Sequence, residues 1–257
     1  MAPDRPDLAK GRVGTIWGRH PVEEAFHVGQ PVTRLMVARG AMRSTQQLRT
    51  LAGMANVPVT FVDSAELDEL AFGGNHQGVV ATLAETPIAS IHDLIKPMPG
   101  RVQPALILAF DQVEDVGNVG SLIRTLEAYG GSGAIMPVRR SAPLTGGLAR
   151  ASAGASLRSA IVTVTNLARS LQTLRKEGVQ TIGLDADAKR PFDALTYDAP
   201  CCVVVGSESR GLRDGVRRIC NEIVKVPMQG AIGSLNVAAA GAIVLHHIGR
   251  SRMDTDS

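Results

Sequence analysis

The segment Ile223-Val-Lys-Val-Pro-Met-Gln-Gly-Ala-Ile-Gly-Ser234-Leu-Asn236-Val-Ala decides how this 257-residue chain is read. Ile223 to Val226 is a short β-branched run, which predicts a buried strand. Pro227 ends it, and Gly230 and Gly233 let the chain turn back tightly. Ser234 stands where an N-cap is expected, ahead of an apolar helix from Val237 to Ile248. A strand end, an open loop and a helix N-terminus are the parts from which open α/β sheets build ligand sites.

The same alternation extends back along the chain. Apolar runs at Ala105–Phe110, Ala134–Pro137, Ala160–Thr163, Thr181–Leu184 and Cys202–Val205 read as strands. Helical patterns cover Val119–Tyr129 and Leu167–Lys176, the latter capped by Asn166. Continuous apolar strands between helices imply an α/β fold with a mostly parallel sheet covered on both faces. A smaller α/β alternation precedes it. Helices are expected at His20–Val28, Ser44–Ala55 and Ala65–Phe72, and strands at Arg34–Ala38, Val57–Val62 and Gly78–Leu83. Prolines at 87, 97, 99 and 104 mark a boundary. The expected organisation is a flexible tail over 1–13, a small domain over 14–84 and a linker over 85–103. A larger domain over 104–250 and a tail over 251–257 follow.

With 44% hydrophobic residues and a mean hydropathy of +0.08, the chain can bury a substantial core. Aromatics are only 3%, which argues against a single-strand binder built on stacked rings. The net charge is +3, but its distribution is uneven. No acidic residue falls between Glu127 and Glu177, an interval that carries Arg139, Arg140, Arg150, Arg158, Arg169, Arg175 and Lys176. Such a run is either a solvated face or a phosphate-binding surface, and its arginine content favours the second. Cys201, Cys202 and Cys220 fit no zinc spacing and read as structural thiols. The six histidines share no metal-ligand spacing, so no metal is expected. No apolar run reaches membrane-span length and the N-terminus has no signal-peptide core, so a cytoplasmic protein without a membrane partner is expected.

Three strand-end loops carry polar residues that a core does not need. The first contains Asn118 and Arg124, the second Gly206, Glu208 and Gly211, and the third Ser234 and Asn236. Asn118 is placed to cap the helix that follows it. The second loop has the glycine spacing of a P-loop but continues with Leu212 and Arg213, which excludes a nucleoside triphosphatase. No strand is followed by a dinucleotide fingerprint. One cap is ordinary, whereas three polar loops at one sheet edge suggest a shared cleft.

At these loops the chain resembles the SpoU/TrmH family of RNA ribose 2′-O-methyltransferases. The motifs are Asn118-x-Gly120-x-x-x-Arg124, Gly206-x-Glu208-x-x-Gly211, and Pro227-Met228 followed by Ser234-Leu235-Asn236. Gly18-Arg-His-Pro-Val-Glu-Glu-Ala25 and His76-Gln-Gly-Val79 resemble the start and end of the family's small RNA-binding domain, a ribosomal-protein-like α/β fold. Asn166-Leu-Ala-Arg169 and the second motif are similar to the RlmB-like subgroup, which methylates a guanosine of 23S rRNA. Two departures stand out. Val116 follows Asp115 where members usually carry Asp-Pro, and Ser156-Leu157 follows Gly154-Ala155 where that subgroup commonly has Glu.

The resemblance implies a trefoil-knotted (SPOUT) C-terminal domain, S-adenosylmethionine as methyl donor, and a homodimer with sites at the subunit interface. By the same analogy, Leu184, Gly206, Val226, Met228 and Leu235 would hold the methyl donor. Asn118, Arg124, Glu208, Ser234 and Asn236 would be catalytic, and Arg139, Arg140 and Arg150 would bind RNA. A guanidinium with a pKa above roughly 12 is a poor general base, so Arg124 is expected to stabilise developing alkoxide charge and grip a phosphate. Glu208 would orient Arg124 or one of the neutral groups. The alternatives are the same reaction on tRNA or at another rRNA position, or an RNA-binding assembly factor without catalysis.

Overall fold

Two sheets organise the molecule. The computed structural model describes residues 14–84, 89–96, 103–144, 146–230 and 232–255. The expected tail over 1–13 lies outside the described residues. The chain divides into one unit of residues 1–88 with 143–158, and another of 89–142 with 159–257.

The small unit runs β1 (Gly14–Trp17), α1 (Arg19–His27), β2 (Val32–Ala38), α2 (Gln46–Met54), β3 (Val59–Val62), α3 (Ser64–Leu70) and β4 (Val79–Leu83). Its strand order is β1-β4-β2-β3. Only β2 and β3, joined through α2, are parallel; β4 is antiparallel to both β1 and β2. The period of two along each strand splits the core between the two faces of this sheet. Ile16, Leu35, Val37, Val79 and Ala81 pack with Val22 and Ala25 of α1 and Leu48 and Ala52 of α2. Trp17, Met36, Ala38 and Val80 pack with Leu67 of α3 and with Ala71.

The larger unit begins with α4 (Ile91–Ile95), then β5 (Leu106–Asp111), α5 (Val116–Ala128) and β6 (Gly133–Pro137). Two short helices, α6 (Gly146–Ala151) and α7 (Ala155–Arg158), lie between β6 and the next strand, in a stretch rich in glycine, proline and arginine for which no element was expected. Their sequence GGLARA-SAG-ASLR is too short and glycine-rich to show a helical period. They belong to the small unit, in which Ala149 and Leu157 complete the core and the Gln30 side chain donates to the Leu157 carbonyl at 2.7 Å. The chain then returns to the larger unit as β7 (Ala160–Val164), α8 (Leu167–Lys176), β8 (Gln180–Leu184), β9 (Arg190–Pro191), β10 (Cys201–Gly206), α9 (Asp214–Arg217), β11 (Glu222–Lys225) and α10 (Val237–Thr255).

All seven strands of this second sheet are parallel, in the order β7-β6-β5-β10-β8-β11-β9. Every residue of the central strands β5 and β10 is buried, as a parallel sheet covered on both faces requires. Leu94 of α4 lies in this core, so part of the expected linker over 85–103 is a structural element; 85–88 and 97–102 lie outside the described residues. Burial is the first cause of the raised thiol pKa values, to about 11 at Cys201 and about 12 at Cys220, which keeps these thiols neutral.

Residues 251–255, expected to begin a tail, continue α10. The reason is Arg252, only 5% exposed despite its charge. Its guanidinium donates to the carbonyls of Tyr197, Pro104 and Ala199 at 2.8–2.9 Å and fastens the helix beside the starts of β5 and β10. Arg252→Ala would leave those acceptors without a donor in the interior. It should lower the unfolding free energy by about 3 kcal/mol, read as a lower urea midpoint.

Candidate functional site

The three polar loops converge at the C-terminal edge of the parallel sheet. The first leaves β5, the second leaves β10, and the third connects β11 to α10. Three side chains close a hydrogen-bonded ring between them. Glu208 Oε1 accepts from Asn118 Nδ2 at 3.0 Å and from Asn236 Nδ2 at 2.5 Å. Asn236 Nδ2 also reaches Asn118 Oδ1 at 3.0 Å. Residues 90 and 118 positions apart are thereby locked together, with both amide planes fixed by one carboxylate.

The caps differ from expectation. Helix α5 starts at Val116, so its N-cap is Asp115, whose carboxylate accepts from Asn118 N at 2.7 Å. Asn118 is thus one turn inside the helix, and its amide side chain is free to face Glu208. Asn236, not Ser234, caps α10: its Oδ1 accepts from the backbone N–H groups of Ala238 and Ala239 at 2.9 and 3.3 Å. Both oxygen and nitrogen of Asn236 are therefore used, one for the helix and one for the ring. Ser234 stands two residues upstream with its side chain exposed.

Two cavities flank this ring. The first, about 490 Å³, is lined by Leu184, Gly206, Val226, Met228, Ser234 and Leu235, which gathers all five residues expected at the methyl donor. Gly206 is needed here because a Cβ would lie 2.2 Å from the Gly211 backbone, so only glycine lets the second loop fold back this tightly. Sequence reasoning missed the acids of this cavity, Asp185, Asp187 and Asp214. Asp185 pairs with Arg217 and accepts from Asp187 N at 2.9 Å. Their signal was available, since Asp185 and Asp187 directly follow a strand end. The second cavity, about 590 Å³, opens on the other side of Ser207–Arg210 and includes Gln112, Glu114, Asn118 and Arg140. Both cavities lie within the usual range for small-ligand sites.

An ion pair between a buried carboxylate and a half-exposed guanidinium holds these loops. Asp111, fully buried at the end of β5, accepts from Arg213 N at 2.8 Å and from its Nε and Nη2 at 2.7 Å. Neither residue was singled out from the sequence. Arg124 is not brought to the ring. It is exposed and lines a groove between α5 and α10 with Ser121, Thr125, Ile243 and His246. Helical geometry accounts for this, because a residue six positions beyond Asn118 points about 120° away and lies about 9 Å further along. Arg139 and Arg140 belong to the larger unit, whereas Arg150 belongs to the small one and reaches the Asn75 carbonyl at 3.4 Å. Arg158 is paired with Glu24.

Comparison with known proteins gives this arrangement a context. Residues 105–246 match the SpoU rRNA methylase family model, and residues 15–88 match a model of the RNA 2′-O ribose methyltransferase substrate-binding domain. The chain belongs to the SpoU methylase family. An uncharacterized tRNA/rRNA methyltransferase of Mycolicibacterium vanbaalenii is 38% identical over 240 residues, covering 92% of this chain and 76% of that protein. One from Mycolicibacterium paratuberculosis is 37% identical over 252 residues, covering 97% and 81%. Among solved structures, the SpoU methyltransferase AviRb of Streptomyces viridochromogenes, in complex with AdoMet, superposes with a TM-score of 0.77 at 23% identity, covering 93% of this chain and 90% of that one. An AdoMet-bound rRNA methyltransferase of Sinorhizobium meliloti has the same TM-score at 24% identity, covering 93% and 88%. At these identities the likeness is one of fold.

Within this SpoU-family site, the two asparagines should separate experimentally. Asn236→Ala removes a helix cap and should cost about 1 kcal/mol of stability in urea unfolding. Asn118→Ala leaves the Asp115 cap in place and should change stability by less than about 0.5 kcal/mol.

Proposed function

We propose that the chain transfers a methyl group from S-adenosylmethionine to a ribose 2′-hydroxyl of structured RNA, with a guanosine of 23S rRNA as target. The carrying observation is the Asn118–Glu208–Asn236 ring, set at the junction of two cavities. The first cavity suits the donor. Leu184, Val205, Val226 and Val237 provide apolar walls for an adenine, while Asp187 and Asp214 offer acceptors for ribose hydroxyls or a cationic group. When bound, S-adenosylmethionine supplies an electrophilic methyl on a sulfonium. The chain's own contribution is positional and electrostatic. Glu208 holds two amide dipoles in one orientation, and Asn118 presents its side chain to the second cavity, where the ribose would lie. The same chemistry on tRNA or another rRNA position is the second reading, and the relatives' tRNA/rRNA descriptions admit it.

Arg124 enters this proposal through a second copy of the chain. Met228, Ile232 and Leu235 on the third loop and Ile243 on α10 are between 36% and 73% exposed, and Ile243 and Arg124 border the same groove. Apolar side chains in this number suit a partner surface. A homodimer closed over the α5 and α10 faces would bring Arg124 of one copy to the ring of the other, to stabilise the developing alkoxide. The trefoil knot of the C-terminal unit and a cytoplasmic location belong to the same reading. They are supported by the match to SpoU-family folds and by the absence, among the described residues, of any helix long and apolar enough to cross a membrane.

Calorimetry with S-adenosylmethionine tests the donor, and no binding at millimolar ligand rejects the enzyme reading. Mapping 2′-O-methylation in total RNA, with and without the protein, should show one guanosine in 23S rRNA whose methylation depends on it. Arg124→Ala and Glu208→Ala should each inactivate. Mixed and re-equilibrated, the two variants should regain roughly a quarter of wild-type activity if Arg124 acts across the dimer. No recovery would place Arg124 in its own subunit's site.

A further inference from the structure

In the second cavity, opposite charges face one space and do not pair. Gln112, Glu114, Arg140 and Arg210 all line it. Yet the structure gives no ion pair between Glu114 and either arginine. Unpaired carboxylates and guanidinia on flexible chains would be unremarkable, but this backbone is held. Asp111 is clamped by Arg213, the Val113 carbonyl accepts from Ala142 N at 3.1 Å, and Asp115 caps α5. Glu114 sits between the last two anchors. Gln112 takes the left-handed conformation with φ 61°, as does Arg140 with φ 54°. Such backbone is uncommon for residues other than glycine and is concentrated at functional sites.

Resting on the methyltransferase reading above, we propose that this cavity receives the nucleotide to be methylated and that Glu114 selects guanine. The chemistry of the four bases decides between them. A carboxylate presents two acceptors side by side and no donor. Guanine alone offers two adjacent donors, N1–H and an N2–H, on its Watson–Crick edge. Adenine and cytosine each put a ring-nitrogen lone pair beside their amino group, and uracil flanks its single N–H with two carbonyls. Each of those would set a lone pair against the Glu114 carboxylate. Gln112, with both a donor and an acceptor, suits guanine O6. Arg140 and Arg210 suit the flanking phosphates, whose charge is the same for all four nucleotides. Glu114 thus reads, and the arginines hold. A base turned out of its stack is the form in which sequence-specific RNA readers take their targets.

The test uses the full chain with saturating S-adenosylhomocysteine and the four nucleoside 5′-monophosphates as probes, with affinities read by ligand-observed NMR titration. GMP should bind about tenfold more tightly than AMP, CMP or UMP. Glu114→Ala should abolish that preference while leaving S-adenosylhomocysteine affinity unchanged, because Glu114 does not line the donor cavity. Arg140→Ala should weaken all four nucleotides by a similar factor. Equal affinities in the wild type, no detectable GMP binding, or a preference that survives Glu114→Ala would each overturn the assignment. Donor binding by the wild-type protein separates the two readings. If it fails, the methyltransferase proposal falls. If it holds and the GMP preference is missing, only the guanine assignment falls.

Discussion

A carboxylate with no solvent around it cannot stay charged without a partner, and Asp111 is such a group. It ends the central strand of the larger sheet, and the arginine that satisfies it lies on the segment leaving the neighbouring strand. The pair bonds backbone as well as side chain, so it fixes the path of the second loop and not only the position of Arg213. Gly206 ends β10, and Glu208 lies between it and that anchor. The wall shared by the two cavities therefore takes its position from a bond made beneath it. Breaking the pair would leave an uncompensated buried charge and release both loops together.

The ring above this anchor shows how few atoms can join distant parts of a chain. Glu208 is exposed, yet it orders two amides that have no other side-chain donor or acceptor in common. Asn236 serves the helix through its oxygen and the ring through its nitrogen, which is why aspartate would not substitute for it: a carboxylate could cap but could not donate. The requirement for asparagine at the start of α10 is thus a statement about donors and acceptors, separate from helix propensity.

Much of this was legible in the sequence. The parallel strands announced themselves as apolar runs, and α8 with its Asn166 cap matched its expected bounds. The polar residues of the three loops were visible because nothing in a core calls for them. Local patterns could not show contacts made across the fold. Asp111 reads as a strand-end acid, and only its distance to Arg213 reveals a clamp. Asn118 reads as a cap because apolar periodicity begins only at Val119, whereas the helix begins earlier, at Val116, with Gly117 in its first turn. Arg252 reads as part of a tail, since carbonyls contributed by residues 104, 197 and 199 leave no mark on a helical pattern. Arg124 shows the limit most clearly. The resemblance groups it with Asn118 among the catalytic residues, whereas the helix turns it toward another face.

The excursion of residues 143–158 bears on what a domain means in this protein. A family model recognises the small domain as one continuous stretch, 15–88, yet its core is closed by Ala149 and Leu157 from far along the chain. Trp17 packs so closely on Gly146 that a Cβ there would fall 2.5 Å from the indole ring. The chain accordingly crosses between the units at three points, near 88, 142 and 158. A single cut would not yield two intact halves: severed at residue 88, the first piece would lose part of its interior, and the second would carry an unpartnered apolar strap. The small unit is a module by its sequence likeness but a dependent by its packing.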